Sequence, residues 1–521
     1  MSAANPDSEF KEIELKLVFD PADAFKLSAH PFFASVGSAL PRSGPRVLET
    51  KTRELISVYY DTPDDVLRKA GLFLRVRNTG AGFVQTVKTA RGDSEFLERN
   101  EWECDLSSDS PDLAAAEETA LGPLLSDKVR AALDRRFETR FQRQTFLVEY
   151  EGSLIEVAID QGDIVAGEKR SRVCELELEL KSGDRAALFS FAKRLAETVP
   201  LTLGIKTKAE RGFDLLDGLE AGFEKARPVE ILAGETCAEA FRIAARNCLR
   251  QALVNVPGTR AGHAEALHQT RVGLRRLRAA ISLFSDVIDG PQRPHVAEEL
   301  KWIAGQLGPA RDLDVFISDI LEPHRAAFPD DPGWESIQER ILRSRADAYR
   351  AAFAATGSER FRQALLDVGA WIEFGDWTDR GNRLADEPVA DYAAAKLSKL
   401  RRAVVKAGKH LGSLSVPERH RLRIRAKRMR YGSEFFGATF GGKGRAKRRT
   451  KALAALEKLQ DTLGMLNDIA NRQAFMNGGG DRPEWAMLPM PKVYPSEEKT
   501  LMKKAKRAYA RFAETKPFWK A

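Results

Sequence analysis

The chain has 521 residues, of which 43% are hydrophobic and 30% charged, and its formal net charge is +8. The length predicts more than one domain, and the hydrophobic share suffices for sizeable cores. Four scattered cysteines without a CxxC pair favour a reducing compartment over a disulfide framework. No apolar run approaches the length of a membrane span, and the polar residues 1–11 do not resemble a signal peptide. We therefore expect a cytoplasmic protein without a membrane partner.

The charge is distributed unevenly along the chain. Residues 1–216 contain 30 Lys/Arg and 37 Asp/Glu, a net charge of −7, whereas the remainder contains 53 and 38, a net charge of +15. An acidic half needs metal ions to bind a polyanion, and a basic half can bind one directly.

The first predicted strand alternates charged and apolar residues. Glu12, Glu14 and Lys16 share one face, and Ile13 and Leu15 share the other. A single strand of this kind is ordinarily half-buried with its charges in water, but the alternation recurs on strand after strand with charges of both signs. The fold class that we predict is α+β, beginning with a closed antiparallel barrel of eight strands. Its charges point inward and its apolar residues pack against flanking helices at 21–33, 113–136 and 185–198.

The inward charges follow in chain order on further predicted strands. They are Arg75 and Arg77, then Lys88, Glu101 and Glu103, Arg143, Glu156 and Asp160, Glu175, Glu177 and Glu179, and finally Lys206, Lys208 and Arg211. Charges inside a barrel are costly unless they are paired or matched by a charged ligand. Carboxylates supply the oxygens that Mg²⁺ or Mn²⁺ prefers, and Arg and Lys neutralise phosphate oxygens. This lumen suits a polyanionic phosphate bound with a divalent metal.

These motifs together resemble the CYTH family, the triphosphate tunnel metalloenzymes, over roughly residues 8–216. The resemblance rests on Glu12-Ile13-Glu14-Leu15-Lys16, Val58-Tyr59-Tyr60-Asp61-Thr62-Pro63, Leu74-Arg75-Val76-Arg77, Gln85-Thr86-Val87-Lys88-Thr89, Glu101-Trp102-Glu103, Glu156 with Asp160, Glu175-Leu176-Glu177-Leu178-Glu179 and Lys208-Ala209-Glu210-Arg211-Gly212. It implies an eight-stranded tunnel that hydrolyses triphosphates with a divalent metal or, in one branch, cyclises ATP.

The resemblance also implies roles for individual residues. The implied metal ligands are Glu12, Glu14, Glu156, Glu175, Glu177 and Glu179, for Mg²⁺ or Mn²⁺. The implied phosphate-binding residues are Lys16, Arg75, Arg77, Lys88, Arg143, Lys206, Lys208 and Arg211. The implied catalytic residues are Lys16, Glu101, Glu103 and Asp160, and Glu101, Glu103, Glu156 and Asp160 could also order a second metal or the attacking water. We therefore expect metal-assisted hydrolysis without a covalent intermediate.

From Pro228 onward the pattern is nearly all helical, and it contains a duplication. His268, Arg271, Arg275 and Arg278 lie at i, i+3, i+7 and i+10, and His420, Arg423, Lys427 and Arg430 repeat these offsets. Each quartet therefore lies on one helical face. Each is followed by a Leu-Gly sequence, 307–312 in the first copy and 463–468 in the second. We predict two pseudo-symmetric helical bundles that face each other across a basic seam.

This half resembles the CHAD domain over about residues 230–475. The resemblance rests on Glu265 to Val272, Arg275-Arg276-Leu277-Arg278 and Arg311-Asp312-Leu313-Asp314-Val315. In the second copy it rests on His420-Arg421-Leu422-Arg423, Lys427 to Tyr431, Glu434-Phe435-Phe436, and Leu463-Gly464 with Asn467-Asp468. Family members bind inorganic polyphosphate. The implied binding residues are His268, Arg271, Arg275, Arg276, Arg278, His420, Arg423, Lys427 and Arg430.

The two resemblances give domain boundaries and a function. We expect a CYTH domain at 1–219, a linker at 220–229, a CHAD domain at 230–475 and a basic C-terminal extension at 476–521 with a helix at 497–514. The expected enzyme is a metal-dependent inorganic triphosphatase that acts on tripolyphosphate, with long-chain polyphosphate as a second partner and polyphosphate granules as an expected location. A non-catalytic polyphosphate-binding protein, a thiamine triphosphatase and a class IV-like adenylate cyclase remain alternatives. Metal binding by His268 and His420 is disfavoured by their basic neighbours, and few aromatic residues support nucleic-acid binding.

Overall fold

The structure is a computed structural model, and it describes residues 10–33, 44–89, 98–219, 222–327, 334–378, 380–476 and 495–520. The chain forms two compact units that are not contiguous in sequence. The first comprises Met1–Glu224, Leu253–Ala261 and Gly357–Phe374, and the second comprises Lys225–Ala252, Gly262–Thr356 and Gly375–Ala521. The domain boundaries proposed from the sequence stay predictions.

The first unit contains an antiparallel sheet of nine strands. The strands are β1 (Phe10–Val18), β2 (Arg46–Asp61), β3 (Leu72–Asn78), β4 (Phe83–Thr89), β5 (Glu98–Leu106), β6 (Asp134–Tyr150), β7 (Ser153–Ala166), β8 (Lys169–Ser182) and β9 (Thr202–Leu203). The sheet has nine strands where eight were predicted, because the two-residue strand β9 adds to the side of β1. The closure of the sheet into a barrel stays a prediction.

The order across the sheet is β5-β4-β3-β2-β6-β7-β8-β1-β9, with a further pairing between β1 and β5. Strand β1 pairs with β8 through Glu14–Val18 and with β5 through Phe10–Ile13. Strand β9 pairs with the other end of β1, at Leu17 and Val18. The first strand therefore contacts three others in the sheet.

The alternation predicted from the sequence separates the apolar face of each strand from its charged face. Leu15 and Leu17 on β1, and Leu176 and Leu178 on β8, are fully buried, because successive side chains of a strand point to opposite faces. Behind β6, an aromatic cluster forms where Tyr59 stacks on Phe137 and Phe137 meets Phe213 edge to face.

The helices of the first unit surround this sheet. They are α1 (Ala24–Ser28), α2 (Val66–Lys69), α3 (Leu113–Glu117), α4 (Asp127–Ala132), α5 (Ala186–Ala196), α6 (Lys208–Asp217), α8 (Val256–Arg260) and α14 (Glu359–Phe374), with 3₁₀ turns at Pro21–Asp23, Pro31–Phe33 and Gly122–Leu124. The predicted helix at 113–136 is broken by the Gly-Pro turn at Gly122–Leu124, and its last residues open strand β6. Helix α5 confirms the helix expected at 185–198.

The second unit is helical. Its helices are α7 (Cys237–Val254), α9 (Ala264–Leu283), α10 (Arg293–Gln306), α11 (Gly308–Phe316), α12 (Glu322–Ala327), α13 (Trp334–Gly357), α15 (Arg383–Asp386), α16 (Val389–Gly408), α17 (Val416–Phe435), α18 (Lys443–Met476) and α19 (Pro495–Glu514), with a π-helical turn at Ile317–Leu321 and a 3₁₀ turn at Leu411–Ser413. The α+β class and the all-helical second half are therefore confirmed. None of the helices in the described part of the chain combines the length and apolar composition that a membrane span requires.

The core of the second unit contains a group of large aromatic side chains. Phe284 contacts Phe241, Tyr392 and Phe436, and Phe241 meets Trp377 edge to face. Helix α9 carries the first basic quartet, and α17 carries the second. Phe284 directly follows the end of α9, and Phe436 directly follows the end of α17. The aromatic group therefore joins the ends of the two helices that carry the quartets.

Candidate functional site

The charged faces of the strands in the first unit line a cavity of about 1040 Å³. Seven cationic side chains line it, namely Lys16, Arg75, Arg77, Lys88, Arg143, Lys181 and Lys208. Seven carboxylates also line it, namely Glu14, Glu101, Glu103, Glu118, Glu156, Glu177 and Glu179. Most of the charged residues that the sequence analysis named in this half therefore line one cavity, with both signs of charge represented.

Glu177 is the centre of the densest group of charges. Its carboxylate accepts hydrogen bonds from Lys16, from Lys208 at 2.6 Å and from Arg143 at 2.6 Å. Burial alone would raise the pKa of Glu177, but the charges of Lys16, Lys208 and Arg143 hold it well below its usual range. One carboxylate therefore holds three phosphate-binding candidates in place.

Asp160 supports the same group from behind. Arg143 donates two hydrogen bonds to its two carboxylate oxygens, at 2.7 and 2.6 Å, and Lys208 lies 2.8 Å away. Asp160 is fully buried, and burial would raise its pKa, but Arg143 and Lys208 lower it. A bidentate pair fixes the plane of the guanidinium, so Asp160 positions Arg143.

A second group of charges is formed by β3, β4 and β5. Arg75 donates to Thr86 at 2.8 Å and lies 3.6 Å from Glu103 and 3.8 Å from Glu101. Lys88 is paired with Glu101 at 2.6 Å. Burial raises the pKa of Glu103, but the charge of Arg75 lowers it below its ordinary value. Here too the cations are held by carboxylates of neighbouring strands.

Arg77 differs from the other cations of the cavity. Its Nε donates to Ser57 at 3.1 Å, and it forms no ion pair with any carboxylate in the described ranges. Burial and the charges of Arg75 and Arg143 lower the pKa of its guanidinium to about 9. An incoming anion can therefore neutralise the charge of Arg77 without breaking an ion pair among the described residues. The other cations of this cavity are already paired with carboxylates there.

The carboxylates of β1, β7 and β8 are candidates for binding a metal. Glu14 is the register partner of Glu179, and Glu179 is the register partner of Glu156, so the three lie in a row across adjacent strands. Lys181 is paired with Glu179 at 2.7 Å. Within the described residues, no three His, Cys, Asp or Glu side chains are arranged as a metal site. The row nevertheless fits a divalent cation in donor type and in register, since carboxylate oxygens are the ligands that Mg²⁺ and Mn²⁺ prefer.

Five predicted residues of this half do not line the cavity or are not described in full. Glu175 is fully buried beneath it, with Lys16 at 2.9 Å and Lys208 at 2.8 Å. Arg211 lies on Glu175 at 3.2 Å, and Lys206 is paired with Asp214 and Glu224, each at 2.6 Å. Asp160 is fully buried behind Arg143, and the side chain of Glu12 lies outside the described residues. Lys206 is held by two carboxylates and is not among the residues that line this cavity, so its assignment to phosphate binding stays a prediction.

The basic quartets of the second unit come together, as the sequence predicted. Arg275 on α9 donates from Nε to the hydroxyl of Tyr431, which follows the second quartet on α17, at 2.7 Å. Burial and the charges of Arg423, Arg275 and Arg430 lower the pKa of Lys427 to about 8. Below, the basic seam means His268, Arg271, Arg275, Arg423, Lys427 and Arg430. Its pairing across the two copies is confirmed.

Seam residues are held by contacts with a neighbouring helix and within their own helix. Arg271 donates to the carbonyl oxygen of Ala304 at 2.7 Å, and Arg430 is paired with Glu434 at 3.0 Å. Burial, followed by the charge of Arg311, lowers the pKa of His268. Arg311 was not among the predicted binding residues, although its place directly after the Leu-Gly-Pro-Ala sequence was a signal that could have included it.

Arg276 was predicted to bind polyphosphate, and the structure corrects this. It is only 4% exposed, and its guanidinium donates to Asn247 at 3.0 Å and to Gln251 at 2.7 Å. The side chain also lies over the ring of Phe435. Its neighbours Arg275 and Arg278 are exposed, so Arg276 belongs to the interior. His420 is exposed as well.

Comparison with known proteins agrees with both halves of this description. The model of the CYTH domain matches residues 11–213, and the model of the CHAD domain matches residues 243–477. The chain therefore carries a CYTH domain followed by a CHAD domain.

Individual relatives match parts of the chain or most of it. An inorganic triphosphatase of Haemophilus influenzae is 33% identical over 207 residues, which are 39% of this chain and 54% of that protein. The chain thus spans about half the length of this relative. An uncharacterized protein of Mycobacterium tuberculosis is 26% identical over 450 residues, 82% of this chain and 83% of that protein. The crystal structure of the CHAD domain from the plant Ricinus communis is 27% identical, covers 56% of this chain and 92% of that chain, and has a TM-score of 0.43.

Proposed function

We propose that the cavity of the first unit binds and hydrolyses inorganic triphosphate with the help of a divalent metal, and that the basic seam binds longer inorganic polyphosphate. The proposal that the cavity binds triphosphate rests on the surroundings of Arg77. Arg77 is a cation that faces a cavity of balanced charges and forms no ion pair within the described residues. An anion that enters the cavity therefore gains one interaction without losing another.

The proposed cavity is a tunnel through a barrel of eight strands. The pairing of β1 with both β8 and β5 supports this, because it joins the first strand to the fifth and leaves β9 as an addition beside β1. Closure would keep bulk water from both sides of the charged lumen. Ion pairs inside such a lumen are screened less than ion pairs on a surface.

Phosphate oxygens would replace carboxylates as the partners of the other cations. Lys16, Lys208 and Arg143 all converge on Glu177, so a phosphate placed beside this group meets three donors that are already oriented. Asp160 keeps Arg143 and Lys208 in position during the exchange. Donors that are fixed in advance stabilise the charge that develops on a leaving phosphate without a cost of reorganisation. Lys16, Arg75, Arg77, Lys88, Arg143 and Lys208 are thus the proposed substrate ligands.

The proposed metal ligands are Glu14, Glu156 and Glu179, and Glu12, whose side chain lies outside the described residues, stays a ligand predicted from the sequence. A divalent ion bound there would neutralise phosphate charge and lower the pKa of a bound water. Lys181 would then give up its ion pairs with Glu179 and Glu156. In this arrangement Glu101 and Glu103, which line the cavity on β5, are the proposed bases for the attacking water.

The relative from Haemophilus influenzae supports a triphosphatase, since the similarity falls on the CYTH half. Because that similarity covers about half of the relative, the reaction and substrate of this whole chain are part of the proposal. The seam supports polyphosphate binding because the charges of Arg275, Arg423 and Arg430 converge on Lys427. Glu434 is paired with Arg430 and neutralises part of this positive charge.

The test is phosphate release from tripolyphosphate by the full chain, with Mg²⁺, with Mn²⁺ and with a chelator. We expect release with a divalent metal only, and a loss of release in Glu14→Gln. Glu54→Gln, an exposed carboxylate on β2, is the matched control and should keep wild-type activity. Release that persists with a chelator would contradict the role of the metal. No release from the wild type would contradict the proposed hydrolysis and leave only a binding function for the cavity. Parallel assays with thiamine triphosphate and ATP decide whether the substrate carries an organic group.

A further inference from the structure

Helix α19 lies outside both family matches, which end at residues 213 and 477. It is nevertheless an integral part of the second unit. The hydroxyl of Tyr509 on α19 donates to the carbonyl oxygen of Val405 on α16 at 2.7 Å. Arg401 on α16 donates to the carbonyl oxygen of Ala513 on α19 at 2.6 Å. After the helix, Trp519 is buried and donates to Ser398 at 2.9 Å. Its position on the domain is therefore fixed by specific contacts.

The two faces of α19 have opposite composition. The buried face consists of apolar side chains, namely Leu501, Ala505, Ala508 and Phe512. The opposite face carries six exposed cations, which we call the C-terminal basic face, namely Lys499, Lys503, Lys504, Lys506, Arg507 and Arg511. Four of them follow one another at intervals of four residues, which places them in a stripe along the helix.

The charges of this face are not neutralised. Between Thr500 and Ala513 the helix contains no Asp or Glu, and none of the six cations forms an ion pair with a residue that the structure describes. On α13 of the same unit, by contrast, two exposed cations are paired, Arg343 with Glu339 and Arg350 with Asp347. Like charges at i and i+4 repel one another and destabilise a helix, so a bound polyanion would remove a repulsion that the fold leaves in place.

Neighbouring segments add to the positive potential. The side chain of Lys506 lies directly against Gly412 in the 3₁₀ turn Leu411–Ser413, where even a Cβ would collide with it. This turn follows the end of α16, where Lys406 and Lys409 are exposed. The positive surface thus continues from α19 onto the end of α16.

The aromatic residues of this region are not available to a ligand. Tyr509 is engaged with Val405, and Phe512, Phe518 and Trp519 are buried. Stacking on bases requires exposed rings, and insertion into a membrane requires an exposed apolar face. The face offers ammonium and guanidinium groups, which bind phosphate oxygens. The chemistry that matches it is a chain of phosphates without bases or acyl groups.

We propose that the C-terminal basic face is a second binding surface for linear inorganic polyphosphate, separate from the basic seam. The inference rests on the proposed function for the identity of the ligand only, since the site itself is built from residues beyond the CHAD match. A chain that is long enough contacts both surfaces at once, which raises its affinity without a new contact at the seam. Tripolyphosphate is too short to gain from the second surface.

The test uses the full chain and measures binding of long-chain polyphosphate at several salt concentrations. The first variant is Lys503→Gln/Arg507→Gln/Arg511→Gln, and we expect an affinity about tenfold lower and a salt slope reduced by about 2 to 3, one for each lost phosphate contact. A charge-keeping variant, Lys503→Arg/Arg507→Lys/Arg511→Lys, should bind like the wild type. The matched control is Arg343→Gln/Arg350→Gln, which removes exposed cations that are paired.

The outcomes separate this inference from the proposed function. Wild-type affinity and salt slope in the first variant, together with weakened binding in Arg271→Ala/Arg423→Ala, would refute the C-terminal basic face and leave the seam. Wild-type binding in both variants would refute both surfaces as sites of polyphosphate binding, and no binding by the wild type would refute the proposed function of the seam. If the first variant lost binding to a DNA duplex and kept its binding to polyphosphate, the ligand of the C-terminal basic face would be nucleic acid and not polyphosphate. Hydrolysis of tripolyphosphate should be equal in the wild type and in the control Arg343→Gln/Arg350→Gln.

Discussion

Arg271 donates from its guanidinium to the carbonyl oxygen of Ala304 at 2.7 Å, and the duplicated half of the domain repeats the contact. There Arg423 donates to the carbonyl oxygen of Gln460 at 3.3 Å. In each copy the acceptor lies four residues before the glycine of the Leu-Gly sequence. The duplication read from the sequence is therefore present as the same contact made twice.

The glycines have a physical reason in this arrangement. A Cβ at Gly308 would lie 3.3 Å from the guanidinium of Arg271, and a Cβ at Gly464 would lie 3.2 Å from that of Arg423. Each arginine therefore passes close to the backbone of the helix that it contacts. The glycine of each Leu-Gly sequence therefore leaves space for the arginine side chain that passes it.

We predict that Arg271→Ala and Arg423→Ala weaken the binding of long-chain polyphosphate to a similar degree and reduce the salt slope by about one each. The reason is that each arginine is oriented by a backbone carbonyl, so its charge is placed before the ligand arrives. Binding titrations over a range of salt concentrations measure both quantities. Arg343→Ala, which removes an exposed and paired arginine, should leave them unchanged. Unchanged affinity in both seam variants would refute the seam.

Arg77→Ala should impair the hydrolysis of tripolyphosphate more than it impairs folding. A hydrogen bond to a charged group contributes about 1.5–3 kcal/mol, so kcat/KM should fall about 10- to 100-fold. Because Arg77 forms no ion pair with the described residues, its removal leaves no carboxylate without a partner among them. Steady-state kinetics and a thermal melt give the two readouts. Arg140→Ala, at an exposed arginine of β6 that pairs with Glu138, is the control; equal kinetics in the two variants would contradict the role of Arg77.

Glu177→Gln should destabilise the first unit, and tripolyphosphate should reverse part of the loss. The substitution removes the negative charge on which Lys16, Lys208 and Arg143 converge. Breaking a buried ion pair from one side costs about 3–5 kcal/mol, and an anion that binds the folded state restores stability by mass action. Thermal melts with and without tripolyphosphate measure this. The increase in Tm should be larger for the variant than for the wild type or for Glu138→Gln at the surface; a smaller increase would mean that the three cations do not receive the ligand.

The sequence predicted the direction of side chains better than their depth. The alternation of Glu and Leu at 175–180 places β8 in register with β1, and both strands occur as expected. A period of two cannot distinguish Glu175, which is sealed beneath Lys16 and Lys208, from Glu177, which lines the cavity. Depth depends on the partners that other strands bring, and these become known only with the fold.

One residue was assigned wrongly although a local pattern could have excluded it. Arg276 falls outside the i, i+3, i+7, i+10 series of its own quartet and so points away from the seam face. Here a run of basic residues was given more weight than the geometry of the helix.

Binding of polyphosphate at the seam should weaken as the pH rises through about 8, the pKa to which burial and Arg423, Arg275 and Arg430 lower Lys427. Below that pH the ammonium group is charged and attracts the polyanion, and above it the group becomes neutral. A bound polyanion favours the charged form, so binding near this pH takes up protons. Titrations on either side of the pKa should give a lower affinity at the alkaline side for the wild type. Lys427→Arg should remove this step, and an equal step in that variant would assign it to another group.

Arg276→Ala should reduce stability and leave polyphosphate binding by the folded protein unchanged. The guanidinium is buried, and its removal takes one hydrogen bond away from the side-chain oxygen of Asn247 and one from that of Gln251, at a cost of about 1–3 kcal/mol for each. It also removes the packing of the side chain over Phe435. Urea unfolding measures the loss, and Arg278→Ala, at the exposed arginine of the same helix, should stay within about 0.5 kcal/mol of the wild type. If Arg276→Ala instead weakened polyphosphate binding without reducing stability, the guanidinium would have to contact the ligand. Arg276 would then belong to the seam and not to the interior.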